Sequence, residues 1–304
     1  MGGGGDDAGD GGNTPSSADG AAPSVGCGSA APQALAQYVT YSIHATGATL
    51  DPIFRATPYD RGYAVWLPPS YDSSVPHRTV FIASGCGSIA TTENRYMTTD
   101  LNGGRSNIYV GLASPPLSVN AQGCTDNTGA KSTEWEFFAL VTAAVERSFC
   151  VDKNQEIVAG TASGSTLANM LGCYFSGIDQ TRVFRPDLAL RAQFSVAGAA
   201  PMALPPCAGP VAAFWMHDIN EFIPVTDSLM SRDRVLAANG CTATPAEDWG
   251  VGKLAGIGCK KYSSCPSEHP VVFCETVNQG RQANYYDLLA PAMDQFLLEL
   301  STPP

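Results

Sequence analysis

The stretch "EIVAGTASGSTLANMLGC" (156–173) decides how the rest of the chain is read. Ile157, Val158 and Ala159 form an uncharged apolar run, as a strand buried on both faces would. Gly160 ends the run, and Thr161, Ala162, Ser163 and Gly164 lead into a helix-like segment through Leu171. Glycines at 160 and 164 with small residues between them let a strand turn sharply into a helix packed close against it. The apex of that turn is Ala162, which has no nucleophilic or titratable atom.

Similar short runs recur on either side. "QYVTYSIHA" (37–45) and "GYAVWLP" (62–68) alternate, which predicts two early antiparallel strands. "TVFIAS" (79–84), "NIYVGLA" (107–113), "AQFSVAG" (192–198), "VAAFWMH" (211–217) and "PVVFCET" (270–276) are continuously apolar and predict buried strands. "STEWEFFALVTAAVERSF" (132–149) is the clearest helix. Trp135, Phe138, Val141, Val145 and Phe149 share one face, and Thr133 with Glu136 predicts a capping box. "TDSLMSRDRVLAANG" (226–240) stops at Asn239–Gly240, and "YYDLLAPAMDQFLLEL" (285–300) predicts a last helix bent at Pro291. Antiparallel strands followed by strands alternating with helices predict an α/β fold, its sheet mostly parallel and covered on both faces. No internal repeat is present.

Residues 1–30 carry no aromatic side chain and read as a linker rich in Gly, Asp, Ser and Pro, which leaves 31–304 as one domain. The glycine and aspartate tract after Met1 reads equally as a lipid-anchored tether to a membrane or as a plain tail. Ten dispersed cysteines without a CxxC pair predict disulfides and an oxidising compartment, with Cys259–Cys265 as one local bridge. The four histidines, His44, His77, His217 and His269, show no metal-site spacing, so neither a metal nor a cofactor is predicted. A net charge of -11 disfavours nucleic acid and anionic surfaces as partners.

In sheets of this kind the working residues sit beyond the carboxyl ends of the strands. After "TVFIA" comes "SGCGS" (84–88), whose Gly85 and Cys86 N–H groups, with that of Ser163, would form an oxyanion hole; a tight turn pinned by Cys86 explains it equally. After "VAAFWMH" comes "DINEFIP", which offers the carboxylates of Asp218 and Glu221. After "PVVFCET" comes "VNQGRQANYYD", where Arg281 follows Gly280 and no histidine occurs.

The succession of "GCGS", "GTASGSTLANMLGC", "FWMHDINEFIP", "RDRVLAANGC", "YSSCPSEHPVVFCE" and "GRQANYYDLLAPAMDQFL" resembles the polyhydroxybutyrate depolymerase and feruloyl esterase group over roughly residues 27–300. The resemblance implies an α/β-hydrolase fold, a secreted or cell-surface location and a small-molecule or polymeric ester substrate. Members of the group read G-x-S-x-G at the turn and Gly-His in the last loop. Carried over by position, the nucleophile falls on Ala162, the acid on Glu221 and the histidine on Arg281.

Alanine closes the ordinary acyl-enzyme route. Ser163 is the candidate substitute, but one residue's displacement swings the side chain by several ångströms, where about 1 Å can cost a factor of about a hundred. Ser165 meets the same objection. His269 precedes strand 270–276 and so lies about 20 Å from the working end of the sheet. His217 lies at the correct end, either as a substitute base or as a residue that shapes the acid loop with Asp218. Arg281 cannot accept a proton and would instead pair with Glu221 or bind an anion. The expectation is an esterase-like protein with a degenerate triad and impaired hydrolysis. The alternative is a binding protein that uses the same cleft to hold an aromatic ester or a polyester.

Overall fold

Six parallel strands, each carrying a buried apolar stretch, form the middle of one sheet in the computed structural model, which describes residues 21–90, 107–117, 122–125, 128–198, 206–277 and 286–300. The strands are β1 (Tyr38–Ala45), β2 (Tyr59–Trp66), β3 (His77–Ala83), β4 (Ile108–Leu112), β5 (Val151–Thr161), β6 (Ala192–Val196), β7 (Ala212–Asp218), β8 (Ala246–Asp248), β9 (Cys259–Tyr262) and β10 (Val271–Thr276). Among the described residues their order is β1-β2-β4-β3-β5-β6-β7-β10-β9-β8. The run from β4 to β10 is parallel, and antiparallel pairs close both edges.

Among the described residues four α-helices cover the sheet: α1 (Glu134–Ser148), α2 (Ser163–Tyr174), α3 (Val225–Ala238) and α4 (Tyr286–Glu299). Every residue of β4, β6 and β7 is buried, which is why these segments read as uninterrupted apolar runs. Phe81 and Val158 point to one face, under Trp135, Phe138 and Val141 of α1 and Leu167 and Leu171 of α2. Ile82, Ile157, Phe194 and Phe214 point to the other, where Leu289, Met293 and Phe296 of α4 cover them. Ala213, Trp215 and Phe273 meet Val235 and Leu236 of α3. Each fully buried large apolar side chain contributes roughly 1.5–3 kcal/mol of transfer free energy. The predicted mostly parallel sheet with helices on both faces is therefore present.

Several expectations are corrected. β8 and β9 have no counterpart in the sequence reading. "AED" and "CKKY" are three and four residues long, and β8 is wholly exposed, so neither forms an apolar run. The capping box on α1 does not form. Glu136 turns away to accept N–H groups from Thr46, Gly47 and Ala48 at 2.9 Å each, while the Ser132 hydroxyl takes the Glu134 N–H at 3.1 Å. The expected linker overlaps the folded unit. Ala22–Gly26 dock along the start of β5 and the end of α1, with Ser24 N–H on Val151 O and Gly26 N–H on Glu146 O, both at 2.9 Å. Gly26 is required there, since a Cβ would lie 2.4 Å from Phe149 O.

The ten cysteines do form disulfides, five of them, but not the predicted local one. Cys259 lies directly across the ladder from Cys274 and bonds to it, and Cys265 bonds to Cys241 beyond the end of α3. Strand register brings Cys259 and Cys274 to a Cα separation of 3.7 Å, and this overrides nearness in sequence. The remaining bridges are Cys27–Cys150, Cys86–Cys124 and Cys173–Cys207.

Candidate functional site

β5 runs into α2 through a single residue in a strained conformation, Ala162, at φ 50 and ψ -124. The glycines on either side explain how the turn closes. A Cβ at Gly160 would sit 2.1 Å from Gly164 O, and one at Gly164 would sit 2.1 Å from Ala83 O. Helix, turn and the neighbouring β3 are thus in backbone contact that only glycine allows. Ala162 donates its N–H to Val196 O at 3.0 Å and accepts from Ser165 N–H at 3.0 Å, which over-determines the conformation. Such a φ costs of order 1–3 kcal/mol for a residue with a Cβ. The side chain at the apex is exposed.

Ser163 begins α2, so its N–H has no intrahelical acceptor. Its hydroxyl lies 3.4 Å from Cys86 Sγ. That sulfur is in a disulfide and has no proton, so the hydroxyl is the donor. The Ser163 carbonyl accepts from the Thr125 hydroxyl at 2.8 Å. The Ser165 hydroxyl is buried with no partner among the described residues.

The segment Ser84–Ser88 follows β3 beside the turn. Gly87 N–H donates to Gly123 O at 2.7 Å, and the Ser114 hydroxyl donates to Gly85 O at 2.5 Å. With the Cys86–Cys124 disulfide these bonds staple the segment to its neighbours. Neither the Gly85 nor the Cys86 N–H is engaged by a described residue, and both stand in the loop adjoining Ser163.

β7 ends on Asp218, which is buried and accepts from Asn220 N–H at 2.9 Å and the Thr276 hydroxyl at 3.1 Å. Thr276 is its register partner on β10. Glu221 lies in the following turn, half-buried, its N–H on Asp218 O at 3.0 Å; no described residue bonds its carboxylate. His217 is fully buried between the ends of β6 and β7 and α3. Its Nε2 faces Ile223 O at 2.8 Å and must carry the proton there, while Nδ1 meets the Ser228 hydroxyl at 2.7 Å. Ser228 also bonds Gly198 O at 2.7 Å. Both ring nitrogens of His217 are thus committed, Nε2 to the 219–223 turn and Nδ1 to α3, so neither is aimed at Ala162.

His269 stands before β10 at the opposite end of the sheet. Burial, then the Arg191 charge, push its imidazole below the ordinary range. Arg281 lies outside the described residues. The structure thus brings together Gly85, Cys86, Ala162 and Ser163, and places His217, Asp218 and Glu221 two strands away, about 10 Å at the usual strand spacing. Among the described residues no cluster of His, Cys, Asp and Glu could hold a metal ion. The sequence reading missed Thr125, Ser114 and Cys124, which brace the turn; the paired "GC" steps at 85–86 and 123–124 were the available signal.

The sheet order, the elbow-shaped turn and the five disulfides define a disulfide-braced α/β-hydrolase fold. Solved structures share it. They include the acetyl xylan esterase from Aspergillus awamori, with TM-score 0.52 and 10% identity over 84% of this chain and 99% of that one. A butyrate-bound esterase from Thermogutta terrifontis gives TM-score 0.52 and 11% identity over 86% and 94%. A serine-to-alanine mutant of the feruloyl esterase module from Clostridium thermocellum, complexed with sinapinate, gives 0.50 and 11% over 88% and 90%. No family model matches the chain. In sequence, the particular likeness is to feruloyl esterase D from Neurospora crassa, 26% identical over 239 residues, which are 75% of this chain and 72% of that protein. The chain thus shares its fold with esterases, and one protein similar to it in sequence is named a feruloyl esterase.

Proposed function

We propose that this is a secreted esterase-like protein whose cleft holds a carboxylic ester, of an aromatic acid or a polyester, without hydrolysing it by the Ser-His-acid route. The observation that carries the proposal is Ala162. The backbone at that position keeps the strained elbow, yet the side chain has no atom that could attack a carbonyl. Ser163 does not replace it, because its hydroxyl is turned to Cys86 and the buried His217 is occupied elsewhere. The oxyanion donors, by contrast, remain: Gly85, Cys86 and Ser163 offer N–H groups suited to an ester or carboxylate oxygen. The ester class comes from the relatives, one named a feruloyl esterase and another complexed with sinapinate. The five disulfides fit export to an oxidising compartment.

The test is a pair of assays. The protein is expected to leave a small nitrophenyl ester unhydrolysed above buffer, while a feruloyl or hydroxybutyrate ester raises its melting temperature. Saturation at a hundred times Kd corresponds to about 2.7 kcal/mol of added stability. Ala162→Ser combined with Arg281→His is expected to gain esterase activity. Turnover by the unaltered protein that Ser163→Ala abolishes would overturn the proposal.

A further inference from the structure

The Cys86–Cys124 disulfide differs from the other four in where its sulfurs stand. Each of the others has at least one buried cysteine: Cys150, Cys173, Cys241, and both Cys259 and Cys274. Cys86 is exposed and Cys124 is only half-buried. The bridge also lies beside the β5–α2 turn, with Cys86 in the segment after β3 and its Sγ 3.4 Å from the Ser163 hydroxyl. Exchange of a disulfide requires in-line approach of an external thiolate to one sulfur, which burial prevents and exposure permits.

We propose that Cys86–Cys124 is a thiol-exchange site that takes low-molecular-mass thiols. The external thiolate attacks the exposed Cys86 Sγ and forms a mixed disulfide there. The Cys86–Cys124 bond breaks, and its electron pair leaves on Cys124 Sγ, which takes a proton from water. A second external thiol attacks the sulfur of the first, releases Cys86 as a thiolate and departs as the oxidised external disulfide. The Ser163 hydroxyl, already a donor to Cys86 Sγ, stabilises that thiolate and favours the opened state. Opening leaves the segment held by its bonds to Gly123 and Ser114, and so loosens the Gly85 and Cys86 N–H groups at the cleft. The other four bridges, each with at least one buried cysteine, keep the domain folded while this happens.

The folded protein is treated with graded reduced glutathione, quenched with N-ethylmaleimide and mapped by peptide mass. The expected result is a glutathione adduct on Cys86 and maleimide on Cys124, formed at least ten times faster than label on any other cysteine, with the far-ultraviolet circular dichroism unchanged. Ser163→Ala is expected to slow complete opening to the dithiol without changing which pair opens. Label appearing first on another pair, or on all five together, overturns the proposal. Neither readout needs a cleft ligand, so the result stands apart from whether the cleft holds esters.

Discussion

Ala162 is strained whatever the cleft does, and that strain is measurable. Ala162→Gly removes the penalty of a Cβ at φ 50 and is expected to raise stability by about 1 kcal/mol after the entropy cost of glycine. Ala162→Ser is expected to change it by less than about 0.5 kcal/mol, since the side chain is exposed. Urea denaturation of the two variants checks both. A second residue carries a pH dependence. Glu156 on β5 is fully buried, neither carboxyl oxygen is hydrogen-bonded by a described residue, and burial followed by nearby Glu146 pushes its proton affinity well up. The neutral acid is thus favoured in the folded state. Below the ordinary value of 4.5 both states hold the proton; as pH rises above it the unfolded chain releases the proton first, and stability falls. Glu156→Gln is expected to flatten that fall between pH 4 and pH 8 and to be the more stable form at pH 8, read by urea titrations across that range. A parallel loss in both proteins would show the slope arises elsewhere. Glu156 was legible only as the polar start of an apolar run, because its burial depends on α1 crossing above it.

Among the elements, the joint between β2 and α1 rests on one buried ion pair. Arg61 and Glu134 meet at 2.8 Å with side chains 1% and 0% exposed, and the guanidinium also donates to Ala113 O at 2.8 Å and stacks over Phe137. Breaking such a pair from one side strands a charge. Glu134→Gln is therefore expected to cost about 3–5 kcal/mol, and Arg61→Met with Glu134→Leu is expected to recover most of it, both measured by thermal unfolding. The central strands and all four helices were legible because burial on two faces, or on one helical stripe, leaves a composition signal. The edge strands β8 and β9 were not, since pairing along one side demands little of their side chains. Glu136 was misread as a cap for a related reason. The sequence contains the Thr133–Glu136 spacing, but three unpaired N–H groups in the 46–48 turn compete for the carboxylate and win. At the site, strand ends located the elbow and the acid turn, whereas the partners that commit His217, Ile223 O and the Ser228 hydroxyl, depend on how the turn after β7 folds back over the ring, which no motif spells out.

For the molecule as a whole, the bridges differ in the length of chain they close. Cys27–Cys150 spans 123 residues and Cys259–Cys274 spans 15. On a chain-entropy basis the first contributes close to 5 kcal/mol and the second about 3. Replacing both cysteines of each pair by alanine is expected to lower stability in that order, checked by the denaturant midpoint at constant m-value. Even dispersal of the cysteines announced disulfides, while their pairing depended on register and helix placement that no spacing encodes. The longest bridge also fixes an orientation. Cys27, with Ala22–Gly26, enters the domain against Val151 and Asp152 at the start of β5, and Ala162 lies just past the other end of that strand, roughly 20 Å or more away once the bulge after Val151 is allowed for. A carrier fused ahead of residue 22 would therefore meet the domain at the end of the sheet opposite Ala162, and would leave the turn clear to approach a large or immobilised ligand.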